Sequence, residues 1–135
     1  MIEFSVYGKS EPQGSAKAVT LPGRKYSTIV TDNPKLKKWR EKVGIIAREK
    51  MRSTGLAIVP QEMPLRVDMQ FVFNRPKSVE REHVTVKPDA DKLCRAIFDA
   101  LTGIVYVDDA QIVAGGFSKS YGEWECVKVK VTEVA

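Results

Sequence analysis

Residues 2–7 alternate apolar and polar side chains, with Ile2, Phe4 and Val6 interleaved with Glu3, Ser5 and Tyr7. A period of two predicts an opening strand. Residues 8–25 carry Gly8, Pro12, Gly14, Pro22 and Gly23 and read as a loop. Residues 26–31 have strand composition. Asn33 suits a helix N-cap and Pro34 the first turn after it. Leu36, Trp39, Val43 and Ile46 then recur at helical spacing and predict a buried stripe. Gly44 weakens that helix by about 1 kcal/mol relative to Ala. Residues 53–63 connect it to the clearest strand, 64–74, where Leu65, Val67, Met69, Phe71 and Phe73 alternate with a mostly polar set. Such a strand fits a sheet covered on one side.

Beyond a charged loop at 75–88, in which His83 is expected to be an exposed side chain, a second helix is predicted from about 89 to 101. Its apolar face is Leu93, Ala96, Ile97, Ala100 and Leu101, and Gly103 is a natural stop after it. A short strand at 104–107, a strand at 111–119 with a bulge at Gly115-Gly116, a turn at Tyr121-Gly122 and a last strand at 123–134 complete the reading. In the last strand Val127, Val129 and Val131 face one side, and Lys128, Lys130 and Trp124 the other. The fold class expected is α/β of the α+β type, with one domain over residues 1–135 and a mixed sheet whose helices pack on one face.

The length of 135 residues suits one domain. No apolar run approaches the roughly 18 residues of a membrane span, and the N-terminus has no signal-peptide pattern. Cys94 and Cys126 form neither a metal-ligand spacing nor a disulfide framework, which fits a reducing cytoplasm. His83 is the single histidine, which counts against a histidine-built zinc site or an HNH-type nuclease site within one chain and excludes a Cys/His finger. Any metal must be held by carboxylates, which points to magnesium or manganese.

The net charge of +5 is unevenly spread. Residues 1–53 carry 12 Lys and Arg against 5 Asp and Glu, and residues 54–135 carry 10 against 12. A basic surface for a polyanion beside an acidic centre is one reading of that asymmetry. Candidate chemistry lies between Lys87 and Gln111. Asp89 and Asp91 stand two apart at a helix start, and Asp91, Arg95 and Asp99 follow at four-residue intervals on one side. Asp108 and Asp109 come after the helix, where a hairpin-like return would bring Asp109 back to the first pair. Converging carboxylates repel unless a cation neutralises them, and a divalent ion so held activates water for phosphodiester hydrolysis. Arg95 is placed to contact the scissile phosphate, and Asp99 is expected to pair with Arg95. The same residues also have a plain structural explanation: Asp caps helices and complements their dipole, and Asp-Asp suits turns.

The run Lys87-Pro88-Asp89-Ala90-Asp91-Lys92-Leu93, then Phe98-Asp99-Ala100-Leu101-Thr102-Gly103 and Asp108-Asp109-Ala110-Gln111, resembles the RusA family of small Holliday-junction resolvases, frequent in phages and prophages. The opening strand, the basic loop from Gly8-Lys9, the strand through Phe73 and the closing Lys119 are similar as well. The resemblance implies a magnesium-dependent endonuclease of DNA recombination and repair, with Mn²⁺ able to substitute. It implies a homodimer in which each protomer cuts one strand of a four-way DNA junction. It places the essential aspartates at Asp89, Asp91 and Asp109, with Asp108 in support and Arg95 where the family usually has Lys. Lys92 stands where the family usually has Asn, adding a cation beside the metal pocket. Lys9, Lys17, Arg24, Lys25, Lys92 and Lys119 are the expected DNA contacts, joined by Lys37, Arg40, Lys128 and Lys130. Three rivals stand beside this reading: a nuclease with broader flap or fork specificity, a non-catalytic branched-DNA-binding protein, and an interaction module with no DNA role.

Overall fold

The computed structural model describes all residues except 15–16, 21, 24–26 and 31–32, and describes the backbone alone at 17–20 and 27–30. Strand β1 (Ile2–Tyr7) precedes a hairpin of β2 (Lys17–Thr20) and β3 (Ser27–Val30). Helix α1 (Pro34–Ser53) follows, then β4 (Leu65–Phe73), α2 (Ala90–Leu101), β5 (Ile112–Tyr121) and β6 (Cys126–Glu133). Four strands form one sheet in the order β1-β6-β4-β5. The β1–β6 and β6–β4 pairs are antiparallel, and β4–β5 is parallel. The parallel pair follows from α2, which crosses over between β4 and β5 as parallel strands require.

Alternation decides which face is buried. Ile2, Phe4 and Val6, the odd-numbered apolar residues of β4, and Val127, Val129 and Val131 form one core with both helices. Glu3, Arg66, Lys128 and Lys130 lie exposed on the opposite face. The mixed sheet with helices on one face is therefore as predicted. Asn33 caps α1 by accepting from the backbone N–H groups of Lys35 and Leu36, and Pro34 begins the helix.

Five details differ from the sequence expectation. The stretch 8–25 is not all loop, because it contains β2; Pro22 and Gly23 supply the turn, with Gly23 at φ +78°. Ile46 is exposed, and the buried stripe of α1 runs Leu36, Trp39, Val43, Ala47 and Met51, a steadier three- and four-residue progression. Gly44 is buried among them, and a Cβ there would stand 3.1 Å from Ile104 Cδ1, so its low helix propensity is offset by close packing. Residues 104–107 form turns rather than a strand. Gly103, at φ +84°, donates to the Tyr106 carbonyl, Val105 N–H donates to Leu101, and Tyr106 bridges to Val59 and Thr102. The irregularity in β5 lies at Val113, since Leu65 pairs with Ile112 and Arg66 with Ala114. Gly115 and Gly116 keep regular register. Gly115 is needed for close approach, because a Cβ there would lie 2.1 Å from the Val67 carbonyl oxygen. Finally, β6 begins at Cys126, which leaves Trp124 exposed in the connection before it.

Candidate active site at the two ends of α2

Asp89 is the N-cap residue of α2, yet its side chain makes no capping hydrogen bond. Its carboxylate is half-exposed and lies 3.9 Å from the Lys92 ammonium. Asp91 follows in the first turn and is exposed. Capping thus does not account for the carboxylate of Asp89. Cys94, one turn on, is buried, and burial, then the Asp91 charge, pushes its thiol up to about 11. At neutral pH that thiol stays protonated and serves neither as nucleophile nor as thiolate ligand.

The approach to this helix is tethered from the sheet. The Lys119 ammonium, near the end of β5, donates to the carbonyls of Val86 (2.9 Å) and Pro88 (2.8 Å). Two of the three donors of Lys119, an expected DNA contact, thus brace the backbone just before Asp89. The Lys87–Pro88 peptide bond within that segment is cis. On the other side, the N–H of Gln13 donates to the Lys92 carbonyl at 3.0 Å, which lays the loop 8–14 against the first turn of α2.

Asp108 and Asp109 occupy the far side of the crossover. The short 3₁₀ turn Asp109–Gln111 is capped by Asp108, whose carboxylate accepts from the Ala110 N–H at 2.9 Å. Gln111 is buried and uses its full hydrogen-bonding capacity. Its oxygen accepts from the N–H groups of Val107 and Asp108, and its nitrogen donates to the carbonyls of Pro60 and Met63. The sequence reading gave Gln111 no role, although Asp108-x-x-Gln111 is a capping-box pattern. Asp109 itself is exposed, and its pKa is raised by desolvation first, then by Asp108 and Asp99, with Arg95 opposing.

Among the described residues the return after α2 does not gather Asp109 with Asp89 and Asp91 into a group close enough to hold a metal ion. The charges of α2 that act on Asp109 are those of Arg95, midway along the helix, and of Asp99, near its end. Among the described residues no three Asp, Glu, His or Cys side chains group closely enough to hold a metal ion. Magnesium keeps several waters and takes one or two carboxylates beside phosphate oxygens. The uncapped pair Asp89 and Asp91 therefore fits as one chain's share of such a shell, and Asp109 does not join it there.

Arg95 is exposed and makes no ion pair among the described residues. The expected Arg95–Asp99 pair is replaced by Arg40 Nη1 to Asp99 Oδ2 at 3.8 Å, a bond between the two helices. Lys9 and Lys37 are exposed, as are Lys128 and Lys130 on the open sheet face, with Lys130 4.0 Å from Glu3. His83 is exposed, as expected. Arg24, Lys25 and the side chain of Lys17 lie outside the described residues.

One stability consequence follows from Asp109. A carboxyl whose pKa is raised by folding contributes most below its ordinary value, and that contribution is lost as pH rises through the raised value. At neutral pH the penalty is complete. Asp109→Asn is therefore expected to raise the urea midpoint at neutral pH, with the gain shrinking toward about pH 3. An unchanged or lowered midpoint at neutral pH would contradict the assignment.

A protein-family model described as endodeoxyribonuclease RusA matches residues 10–132. A protein of Bacillus subtilis (strain 168), named only as uncharacterized protein YqaN, is 28% identical over 146 aligned positions, spanning 99% of this chain and 97% of that protein. No helix among the described residues is long and apolar enough to cross a membrane.

Proposed function

Because the chain belongs to the RusA endodeoxyribonuclease family, we propose that it resolves four-way DNA junctions by paired hydrolysis of phosphodiester bonds, in DNA recombination and repair. Asp89 and Asp91 bind Mg²⁺, for which Mn²⁺ can substitute, and Asp109 completes the acidic set. The observation that carries this reading is the uncapped carboxylate of Asp89 beside exposed Asp91, at a helix start the backbone holds firmly. When bound, the ion supplies a Lewis acid that lowers the pKa of water and offsets charge on the phosphate. The chain's own part is positional. Lys119 fixes the backbone before Asp89, Gln111 and Asp108 fix Asp109, and Arg95, exposed one turn beyond Asp91, is free to meet a phosphate oxygen. The basic N-terminal part of the chain serves the DNA backbone and makes affinity fall steeply with salt.

The test is an end-labelled four-way junction incubated with Mg²⁺ beside linear duplex and flap. Paired symmetric nicks confined to the junction are expected. Equal cutting of flaps would favour the broader nuclease, and tight junction binding without cleavage in Mg²⁺ or Mn²⁺ would favour the non-catalytic reading.

Separation of the aspartates within one chain also makes a homodimer part of the proposal, with Asp109 acting across the dimer. Mixed dimers of Asp91→Asn and Asp109→Asn chains are expected to regain nicking that neither variant shows alone, because one of the two composite sites is then intact. If all the aspartates of a site came from one chain, the mixture would stay inactive.

A further inference from the structure

A cavity of about 550 Å³ opens where the loop 8–14, the segment 73–88 and the first turn of α2 meet. Its volume falls in the roughly 300–1,000 Å³ range of clefts that take small organic groups. Asp89 and Lys92 form part of its lining, so it adjoins the proposed cutting site without being that site.

The walls suit a flat apolar body with a polar edge. Phe73, Val84, Val86 and Pro88 supply apolar surface. Tyr121 adds an aromatic ring, backed by the Arg75 guanidinium 4.9 Å from its centroid and tied by its hydroxyl to Arg81 at 2.9 Å. Ser10 also lines the cavity. It is 1% exposed, and its hydroxyl has no hydrogen-bond partner. A buried hydroxyl left unpaired carries an uncompensated desolvation penalty, which a ligand with a donor and acceptor edge removes. Lys9 and Lys92 stand among the lining residues as cations.

We propose that this cavity receives one nucleobase swung out of the DNA stack beside the bond to be cut. The proposal rests on the nuclease reading above. The base lies between the apolar walls and the Tyr121 ring, its edge meets Ser10, and Lys9 and Lys92 hold the phosphates on either side. Lys92 thereby has a use for its charge at a position where the family pattern usually carries Asn. Extracting a base is least costly where pairing or stacking is already interrupted. A branch point is such a place and a continuous duplex is not. The pocket thus turns DNA structure into selectivity.

The experiment places 2-aminopurine, in turn, at each nucleotide flanking the branch of a four-way junction, and adds the full chain in EDTA. A several-fold rise in fluorescence is expected at one position, as stacking is lost. Val86→Trp fills the cavity from an exposed position, 46% accessible, where folding tolerates it. This variant is expected to suppress the rise and to slow junction cleavage in Mg²⁺ about tenfold, with junction affinity kept within about threefold because backbone contacts dominate it. Ser10→Ala is expected to lower the rise by a smaller factor. Saturable junction binding with no rise at any position would overturn the pocket and leave the nuclease reading standing, as would a rise that Val86→Trp leaves intact. Failure to prefer junction over duplex in a gel shift would overturn both.

Discussion

Asp91→Asn is expected to remove junction cleavage while leaving junction binding in place. Asn keeps the size of the side chain and its place in the first turn of α2, so the helix and its packing should persist. What is lost is a charged oxygen ligand. A metal supplies several kcal/mol of transition-state stabilisation, and each 1.36 kcal/mol is a factor of ten, so the rate should fall by about 10³. Affinity for the junction should hold or increase, because one negative charge facing a polyanion has gone. A second readout comes from Cys94, whose thiol is pushed up in part by the Asp91 charge. Its reaction with an alkylating reagent should begin at slightly lower pH in the variant. Cleavage by Asp91→Asn within about tenfold of the parent would remove Asp91 from the site.

Gln111→Leu should cost the fold about 2–4 kcal/mol, measured by urea denaturation. The side chain is buried and joins the segment 107–108 to the connection 60–63 through four hydrogen bonds of 2.8–3.1 Å. Leu matches it roughly in volume but leaves two N–H groups and two carbonyls without their partner. Junction cleavage should fall further than stability alone explains, because Asp109 is carried on the turn that Gln111 holds. Gln111→Glu separates the two effects: it keeps an oxygen to accept from the N–H groups of Val107 and Asp108 but brings a carboxylate against the carbonyls of Pro60 and Met63, so its destabilisation should grow as pH rises. A Leu variant within about 0.5 kcal/mol of the parent would show that the latch is dispensable.

The frame of the sheet was legible because burial on one face imposes strict alternation, plain in Leu65–Phe73 and in Val127, Val129 and Val131. The start of α1 was legible for a local reason, since Asn33 and Pro34 act on their own neighbours. Non-local facts were hidden. Ile46 and Ala47 are equally plausible members of an apolar stripe, and only packing into the common core selects Ala47. Val105 and Tyr106 have strand composition, but Gly103 and the Tyr106 hydroxyl bond to Phe98 close the chain into turns first. For the site, the places of Asp89 and Asp91 at the start of α2 could be read from the local sequence. The place of Asp109 could not, because it depends on how the chain returns after α2. Lys119 is expected from sequence to meet DNA, and nothing in its neighbours reveals that it also bends back to Pro88.

Both braces of the acidic residues hang from a single strand. Gln111 stands at the head of β5 and Lys119 near its tail, and β5 is bonded to the sheet along one side only. Peeling that edge strand away from β4 would release the approach to Asp89 and the turn carrying Asp109 together. The protein therefore offers an inhibitor a target remote from its charged, solvent-washed aspartates. A β-strand mimic that competes for the Val67–Phe73 ladder would silence both halves of the site in one event, and DNA already bound across them would oppose its entry.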